Sequence, residues 1–201
     1  MMNEIQEKFS TDNLVLIRGF LGDEAVSTIS QYMENKVNRY GFKIKGVEED
    51  DISSYSWYSD PLIEVILVSS LGAVEEITKK KLYPTYSYNR VYMDNDSLVR
   101  HTDRGACEYS VTVNIATEGS LWPMFFKSPK GEECSFRLNP GDAIVYKGCD
   151  VEHWRENMES KGVKLNAQLM LHYVDTEGPY AEHKWDKRLK LGLDKPSGWR
   201  D

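Results

Sequence analysis

The stretch "LVRHTDRGACEYSVTVNI" (residues 98–115) joins a polar cluster to a run in which polar and apolar side chains alternate. Alternation places one set of side chains on each face of a β-strand, so residues 107–115 are predicted to form a strand with a buried face. Cys107 begins this face, and we interpret it as a small core residue. Upstream, His101 and Asp103 are two residues apart, which puts both side chains on one face if that segment is also extended.

The same strand-like pattern continues through the second half of the chain. From Tyr83 onwards, short alternating or apolar runs are separated by turn residues at regular spacing, which is typical of a β-sandwich or barrel. We therefore predict a mainly β fold with flanking helices (α+β). The further predicted strands are "YSYNRVYM", "LWPMFF", two strands in "CSFRLNPGDAIVYKG" joined by a Pro-Gly turn, and "VKLNAQLMLHYVD".

Helical signals are confined to the first part of the chain. A short predicted strand, "NLVLIRGF", precedes a helix whose apolar residues recur at helical spacing up to Val37, and Gly41 is expected to end it. A second helix is predicted to begin at the N-cap Asp60, with Pro61 in its first position. Three consecutive lysines, residues 79–81, mark its C-terminal end, where the helix dipole favours cations.

Residues 46–60, "GVEEDDISSYSWYSD", show neither period and are predicted to form a long loop. Two interpretations remain open at this stage. The loop is either a solvated connector or a mobile element that closes over a cavity mouth through Tyr55, Trp57 and Tyr58. The polar segment after Asp175 is predicted to be irregular, with at most one helical turn.

Length and composition bound the class of protein. The 201 residues favour a single domain, with helical support in residues 1–82, a β core in 83–175 and a polar tail in 176–201. The net charge of -7 disfavours nucleic acid and anionic membranes as partners. Three cysteines without close pairing, no signal-peptide pattern and no long apolar run predict a cytoplasmic protein. The sequence does not indicate an oligomeric state.

His101 and Asp103 form a possible metal site only in combination with a third ligand. A His-x-Asp pair alone occurs often by chance, and the alternative is a histidine paired with an aspartate near a strand end. His153 follows at the end of a predicted hairpin and supplies the third ligand. Two histidines and one carboxylate leave three positions of an octahedron open, an arrangement typical of non-haem Fe(II) oxygenases.

A site of this type also needs a cation to bind the distal carboxylate of an organic cosubstrate. Lys164 shares one face of the last predicted strand with Gln168 and His172, and this polar face is expected to line a cavity. Arg155 competes with Lys164, because it lies two residues beyond His153 and its planar guanidinium suits a carboxylate. Either residue could instead form a surface ion pair. The sequence slightly favours Lys164.

The ordered segments "RVYMDNDSLVRHTDRGACEYSVTVNI", "PMFF", "FRLNPGDAIVYKGCDVEHWRE" and "QLMLHYVD" resemble the prolyl 4-hydroxylase-like Fe(II)/2-oxoglutarate-dependent dioxygenases. The resemblance covers about residues 84–175 and implies a double-stranded β-helix (jelly-roll) core. It implies that His101, Asp103 and His153 bind iron. It also implies that 2-oxoglutarate is bound by Tyr92 and by Lys164 or Arg155. O2 is the further substrate of such enzymes, and ascorbate is a reductant that the resemblance allows.

The function implied is hydroxylation of a substrate C–H bond, coupled to decarboxylation of 2-oxoglutarate to succinate and CO2. The substrate would be a peptidyl proline or another amino-acid-type molecule. The segment "GSLWPMFF" and the spacing before Lys164 depart from the family pattern, which leaves the 2-oxoglutarate anchor open but not the metal ligands. The segments "HWRE" and "QLMLHYVD" resemble a separate subgroup of the family, so specificity for proline does not carry over. A second interpretation is a cupin-like module that binds a metal or small ligand without redox catalysis. Nucleic-acid demethylation is disfavoured by the acidic charge.

Four further residues have open roles. His172 either lines the cavity or is a hydrogen-bonded strand residue. His183 is expected to face solvent. Arg90 and Arg104 either meet an acidic substrate or pair with nearby carboxylates.

Overall fold

The structure is a computed structural model that describes residues 2–40, 54–93 and 95–194. It contains three α-helices, α1 Met2–Asp12, α2 Asp23–Tyr40 and α3 Pro61–Thr78. The strands are β1 Leu14–Ile17, β2 Tyr55–Tyr58, β3 Leu82–Met93, β4 Leu98–His101, β5 Tyr109–Gly119, β6 Met124–Lys127, β7 Glu133–Phe136, β8 Ala143–Tyr146, β9 Glu152–Arg155 and β10 Val163–Asp175. None of these helices combines the length and the apolar character needed to span a lipid bilayer.

The strands form two antiparallel sheets. The major sheet has the order β1-β8-β5-β10-β3-β2, and the minor sheet has the order β4-β9-β6-β7. From β4 to β10 the chain passes repeatedly from one sheet to the other, which is the winding of a jelly roll. The predicted fold class is therefore confirmed. One detail of the prediction is wrong: β7, β8 and β9 do not form hairpins with one another, because β8 lies in the major sheet and its two chain neighbours lie in the minor sheet.

The helices pack on the outer face of the major sheet. The apolar stripe of α3, including Ile63 and Leu67, lies in one buried cluster with Leu169, Leu171 and Tyr173 of β10. These β10 residues alternate with the polar residues predicted to face inward, so the strand separates a helix-covered face from a cavity-facing one. Burial of each such side chain contributes roughly 1.5–3 kcal/mol.

The start of α3 is as predicted. The Asp60 side chain accepts hydrogen bonds from the Leu62 and Ile63 N–H groups, at 3.0 and 3.3 Å, and Pro61 occupies the first turn. The same carboxylate accepts a hydrogen bond from the Tyr32 hydroxyl at 2.8 Å. The cap therefore ties α2 to α3 as well as satisfying free backbone donors.

Part of the predicted loop is a strand. Residues 55–58 form β2, which pairs with residues 88–91 of β3 at the edge of the major sheet. The alternation of aromatic and serine side chains in "YSWY" suits a strand that has one neighbour to pair with. Tyr58 lines the central cavity, whereas residues 46–53 of the predicted loop lie outside the described residues.

Two terminal elements were not predicted as they are found. Residues 2–12 form α1, whose Phe9 is buried against the core. The segment predicted to be a polar tail contains two 3₁₀ turns joined by a kink, Ala181–Lys187, and it packs against β3 and β10. Asp186 and Arg188 of this segment are buried and Asp194 lines the central cavity, so the segment is not a solvated extension.

Candidate metal centre and cavity

His101 and His153 are brought together by strand pairing. His101 is the last residue of β4 and lies opposite His153 of β9 in the antiparallel register. Side chains directly opposite each other on one face are neighbours, and the two imidazole centroids are 4.3 Å apart. Tyr146 packs edge-on against the His153 ring at 4.9 Å and holds its orientation from the major sheet.

Asp103 completes the cluster from a loop and not from the expected strand. It lies two residues beyond the end of β4, and its N–H donates to the Gly148 carbonyl oxygen at 2.8 Å. The Asp103 Oδ1 atom is 3.7 Å from His101 Nε2 and 3.6 Å from His153 Nε2. Atoms bonded at roughly 2 Å to one ion are separated by at most about 4 Å, so the carboxylate and each imidazole fit a shared metal.

The hydrogen bonds of the two imidazoles also fit metal binding. His101 Nδ1 is 2.7 Å from the Val99 carbonyl oxygen, and His153 Nδ1 is 3.0 Å from the Val151 carbonyl oxygen. Because a carbonyl oxygen only accepts, each Nδ1 carries the proton and donates it, and Nε2 is the nitrogen that carries the lone pair. Metal-binding histidines usually show this pattern, with the second ring nitrogen held by a backbone carbonyl or a carboxylate.

The electrostatics of His153 and Asp103 favour their ligand forms. Burial lowers the pKa of His153, although the Asp103 carboxylate acts in the opposite direction. Burial alone would raise the pKa of Asp103, but the neighbouring imidazoles of His101 and His153 outweigh it and lower the value. Neutral imidazoles and an ionised carboxylate are the donor set that suits a divalent transition metal.

The cluster opens into a cavity of about 570 Å³ between the two sheets. This volume lies within the range of small-molecule sites, roughly 300–1,000 Å³. The polar face of β10 lines it with Gln168, Met170 and His172, as predicted from the alternation of that strand. Aromatic and cationic side chains of other elements also line it: Tyr58, Tyr86, Tyr88, Tyr92, Tyr146, Arg90 and Arg104. Asp194 of the C-terminal segment is an acidic residue of the same lining.

Lys164, the slightly favoured anchor, does not reach this cavity. Its side chain is 74% exposed and its ammonium group is 3.4 Å from Glu118 Oε1. The pairing of β10 with β5 is irregular between Val163 and Leu165, so the alternation of the strand does not extend inward to residue 164. The surface ion pair was the alternative interpretation of this lysine, and it is the one that the structure shows.

Arg155, the competing anchor, is in the interior. It is 2% exposed and donates hydrogen bonds to the Trp122 carbonyl oxygen at 2.7 Å and to Gln168 Oε1 at 2.8 Å. Its guanidinium lies 4.7 Å from the Trp122 ring centroid. Burial lowers the pKa of Arg155 to about 10. Within the described ranges no carboxylate pairs with Arg155, so this buried cation has no counter-charge. It lies directly behind the cavity lining, because Gln168, which accepts its hydrogen bond, is a lining residue.

Arg90 is a second cation at the same end, and the sequence left its role open. Arg90 of β3 lies opposite Gln168 in the strand register, and its guanidinium is 5.2 Å from the Tyr92 ring centroid. It donates to the Tyr88 hydroxyl at 3.3 Å, and among the residues the structure describes no acidic group pairs with it. Tyr92 itself is buried and lines the cavity as expected. The Arg-Tyr alternation of β3 was the signal that could have identified Arg90.

Arg104 belongs to a different cluster, which it forms with Asp186 and Tyr58. Both of its terminal nitrogens donate to the Asp186 carboxylate at 2.9 Å, and the Tyr58 hydroxyl donates to the same carboxylate at 2.6 Å. Arg104 thus pairs with a carboxylate, which was one of its two expected roles. No sequence signal indicated Asp186 as the partner, because it lies in a polar segment without periodicity. His183 of that segment is half-buried, not solvent-facing as expected.

No protein-family model and no curated protein matches this chain. Solved structures do match: the non-heme alpha ketoglutarate dependent carbocyclase SnoK from nogalamycin biosynthesis has a TM-score of 0.70 at 13% identity, over 86% of this chain and 83% of that chain. A Pseudomonas putida prolyl-4-hydroxylase has a TM-score of 0.68 at 12% identity, over 87% and 99%.

A third neighbour is HygX from Streptomyces hygroscopicus, solved with nickel and 2-oxoglutarate bound. Its TM-score is 0.68 at 11% identity, over 88% of both chains. At these identities the likeness establishes the fold. The chain has the jelly-roll fold of the 2-oxoglutarate- and Fe(II)-dependent oxygenases, which confirms the fold that the family resemblance implied.

Proposed function

We propose that this protein is a non-haem Fe(II)- and 2-oxoglutarate-dependent dioxygenase that hydroxylates a C–H bond of a small-molecule or peptide substrate. The observation that carries the proposal is the convergence of His101, Asp103 and His153 at a jelly-roll cavity. Two histidines and one carboxylate with open positions are the usual ligand set of these enzymes. The nickel and 2-oxoglutarate in HygX, and the Fe3+ and alpha ketoglutarate in the epimerase SnoN, support the same ligands here.

When bound, Fe(II), 2-oxoglutarate and O2 would supply the oxidation, in which 2-oxoglutarate gives succinate and CO2 and one oxygen atom enters the substrate C–H bond. The contribution of the protein is binding, orientation and exclusion of water. His101, Asp103 and His153 would hold the metal on one side and leave its cavity side open. The buried aromatic wall beside His153, formed by Phe126 and Tyr146, keeps water from that side.

The distal carboxylate of 2-oxoglutarate would be bound by Arg155. Arg155 lies two residues beyond His153 on the same face of β9, which corresponds to roughly 6–7 Å along the strand. This separation suits a cosubstrate that binds a metal at one end and reaches outward with its other carboxylate. A buried cation without a counter-charge is unfavourable, so an anion at this position stabilises the folded protein as well as the complex.

Arg90 and Tyr92 would complete the carboxylate site. Gln168 lies between the two arginines, since it accepts from Arg155 and is opposite Arg90 in the sheet. Two guanidinium groups and a phenol hydroxyl offer more donors than a single carboxylate needs. We therefore assign Arg155 as the main anchor, with Arg90 and Tyr92 contacting the same end of the cosubstrate.

The substrate would enter from the side of Tyr58, Tyr86 and Arg104, which is the side of the cavity without an uncompensated cation. Phenol rings bind flat or apolar groups through their faces and hydroxyl or amine groups through their oxygen atoms. This chemistry accommodates an amino-acid-type substrate and does not select one. The net charge of -7 argues against a nucleic-acid substrate.

The proposal is tested with the purified protein and Fe(II) in the absence of oxygen. A visible absorption band that appears only on addition of 2-oxoglutarate, followed by succinate release on exposure to air, is the expected result. A panel of peptides and free amino acids then identifies the substrate by faster succinate release. His101→Ala and Asp103→Ala should abolish the band. His183→Ala, at a histidine away from the centre, is the matched control.

Metal binding with no response to 2-oxoglutarate in either measurement would contradict the proposal. That result would favour the second interpretation, a cupin-like module that binds a metal without redox catalysis.

A further inference from the structure

Ser110 lies between a candidate metal ligand and a histidine with no assigned role. Its hydroxyl is 3.0 Å from Asp103 Oδ2 and 2.9 Å from His172 Nδ1. It is also 3.1 Å from the Cys107 carbonyl oxygen. Ser110 is fully buried and His172 is 5% exposed, so the protein holds these contacts away from bulk water.

The number of available protons determines the direction of each of these hydrogen bonds. A serine hydroxyl has one proton to donate, whereas the Asp103 carboxylate and the Cys107 carbonyl oxygen can only accept. The charged oxygen is the stronger acceptor, so the Ser110 proton is directed to Asp103 Oδ2. His172 must then donate its Nδ1 proton to the Ser110 oxygen, because that oxygen has no second proton to give. The neutral imidazole of His172 is therefore the Nδ1-protonated tautomer.

The two oxygens of Asp103 consequently have different surroundings. Oδ1 is the atom near both candidate histidine ligands, at 3.7 and 3.6 Å. Oδ2 is turned away from them and accepts the Ser110 proton, in a space so close to Gly148 that a Cβ there would lie 2.3 Å from Oδ2. One oxygen is free for a metal and the other is occupied.

We propose that Ser110 and His172 are positioning residues that restrict Asp103 to metal binding through Oδ1 alone. This inference rests on the proposed function, because it assumes that Asp103 binds a metal that also binds 2-oxoglutarate and O2. A carboxylate bound through a single oxygen leaves three coordination positions open, as a two-point cosubstrate and O2 require. Loss of the hydrogen bond would let Oδ2 turn toward the metal and occupy one of them.

The first test uses Co(II) alone, whose visible spectrum reports the coordination number. The wild type and the control Ser87→Ala, at a buried serine of β3 whose hydroxyl has no partner among the described residues, should share one spectrum. Ser110→Ala should change the intensities of the Co(II) absorption bands and weaken Co(II) binding by about 10-fold or more. Loss of a hydrogen bond to a metal ligand typically lowers metal affinity by roughly 10- to 100-fold. His172→Asn keeps an N–H donor and should resemble the wild type, whereas His172→Leu should resemble Ser110→Ala.

A spectrum of Ser110→Ala identical to that of the wild type would overturn the inference. If that variant does not fold, as judged by circular dichroism, the pair His172→Asn and His172→Leu decides in the same way. Failure of the wild type to bind Co(II) would overturn the metal site and the proposed function together. Normal binding with unchanged variants would overturn only the positioning role.

The second test is independent of any metal. Long-range 1H–15N correlation spectra of the metal-free protein report which ring nitrogen of each histidine is protonated, and His172→Asn assigns the His172 signals by difference. The expected result at pH 7 is a neutral His172 with its proton on Nδ1, lost or exchanged to Nε2 in Ser110→Ala. A wild-type His172 protonated on Nε2 would contradict the hydrogen-bond direction on which the inference depends.

Discussion

Gly148 lies so close to Asp103 that a Cβ on residue 148 would come within 2.3 Å of the Asp103 Oδ2 atom. The Gly148 carbonyl oxygen also accepts the hydrogen bond from the Asp103 N–H at 2.8 Å. One glycine, in the connection between β8 and β9, therefore fixes both the backbone and the carboxylate of the loop ligand. A side chain at this position would displace the carboxylate that faces the two histidines.

Gly148→Ala is expected to weaken metal binding by about 10-fold or more, because the carboxylate must move and outer-contact changes have effects of this size. The Cβ would also lie 2.3 Å from the Cys107 carbonyl oxygen, so folding of the variant is checked by circular dichroism. The measurement is a Co(II) or Ni(II) titration monitored by calorimetry. Gly72→Ala is the matched control, since a Cβ there meets no atom within 4 Å and alanine favours a helix such as α3. Equal affinities for the two variants would show that Gly148 does not set the ligand position.

Arg155→Ala is expected to raise the apparent Km for 2-oxoglutarate by at least 10-fold, because the buried guanidinium is the partner of the distal carboxylate in the proposed complex. Lys164→Ala should stay near the wild-type value, since that ammonium lies outside the cavity and pairs with Glu118. The apparent Km values are compared by measuring initial rates of succinate release at varied 2-oxoglutarate concentration. The reverse pattern, with Lys164→Ala impaired and Arg155→Ala normal, would remove Arg155 as the anchor.

Arg155→Ala also leaves the Gln168 and Trp122 acceptors unpaired, so its folding is checked by thermal unfolding. Arg155→Lys keeps the charge without the planar fork and should give an intermediate Km. Arg90→Gln tests the second cation of this cluster. Its apparent Km for 2-oxoglutarate should rise less than that of Arg155→Ala, because Arg90 is assigned a supporting contact.

The sequence predicted those parts of the fold and site that depend on local pattern. Alternation in β10 correctly separated its cavity face, with Gln168 and His172, from its helix-covered face. The N-cap Asp60 and the first-turn Pro61 gave the start of α3 without error. The three candidate ligands were found because a close His-Asp pair and a distant histidine make a recognisable set, and the structure brings them together.

The positions that were not predicted correctly depend on tertiary contacts, which a local sequence pattern does not reveal. Lys164 is an even number of residues from Gln168, so strict alternation would place it on the cavity face. The irregular register at the start of β10 leaves it in solvent instead. The segment around Asp186 is polar throughout, so its burial could not be inferred. That burial becomes favourable only through the distant Arg104 and Tyr58, which supply its hydrogen bonds. Partners far apart in sequence therefore decide these positions.

Asp186→Asn is expected to destabilise the protein by about 3 kcal/mol, the lower end for breaking a buried ion pair, because Arg104 is left without its carboxylate. Asp186 is fully buried while Arg104 retains partial solvent contact, which is why the lower end applies. Urea unfolding provides the measurement. Glu182→Gln, in the same segment but exposed, is the control and should change stability by less than about 0.5 kcal/mol. A small effect for both variants would show that the C-terminal segment is not held by this pair.

Asp142 provides a prediction of pH dependence away from the candidate site. Its carboxylate accepts hydrogen bonds from the Gly19 N–H at 3.0 Å and the Asn139 N–H at 2.9 Å, and it pairs with Arg18 at 2.5 Å. Burial raises the pKa of Asp142, but these partners outweigh it and lower the value. A folded-state pKa below the unfolded value, which is about 3.9, stabilises the fold above that pH.

The stabilisation from Asp142 should therefore be complete at pH 6 and should be lost as the pH falls through its folded-state pKa. Asp142→Asn is expected to be less stable than the wild type at pH 6 by on the order of 2 kcal/mol, the usual contribution of hydrogen bonds to a charged group. The difference in unfolding free energy should shrink as the pH falls below about 4, because the unfolded wild type then binds a proton at Asp142 that the folded wild type binds only at its lower pKa. Urea titrations from pH 3 to pH 6 measure this difference, with the exposed Glu132→Gln as control. A difference that stays constant over this range would mean that the ionised carboxylate does not hold the β1–α2 connection to the turn before β8.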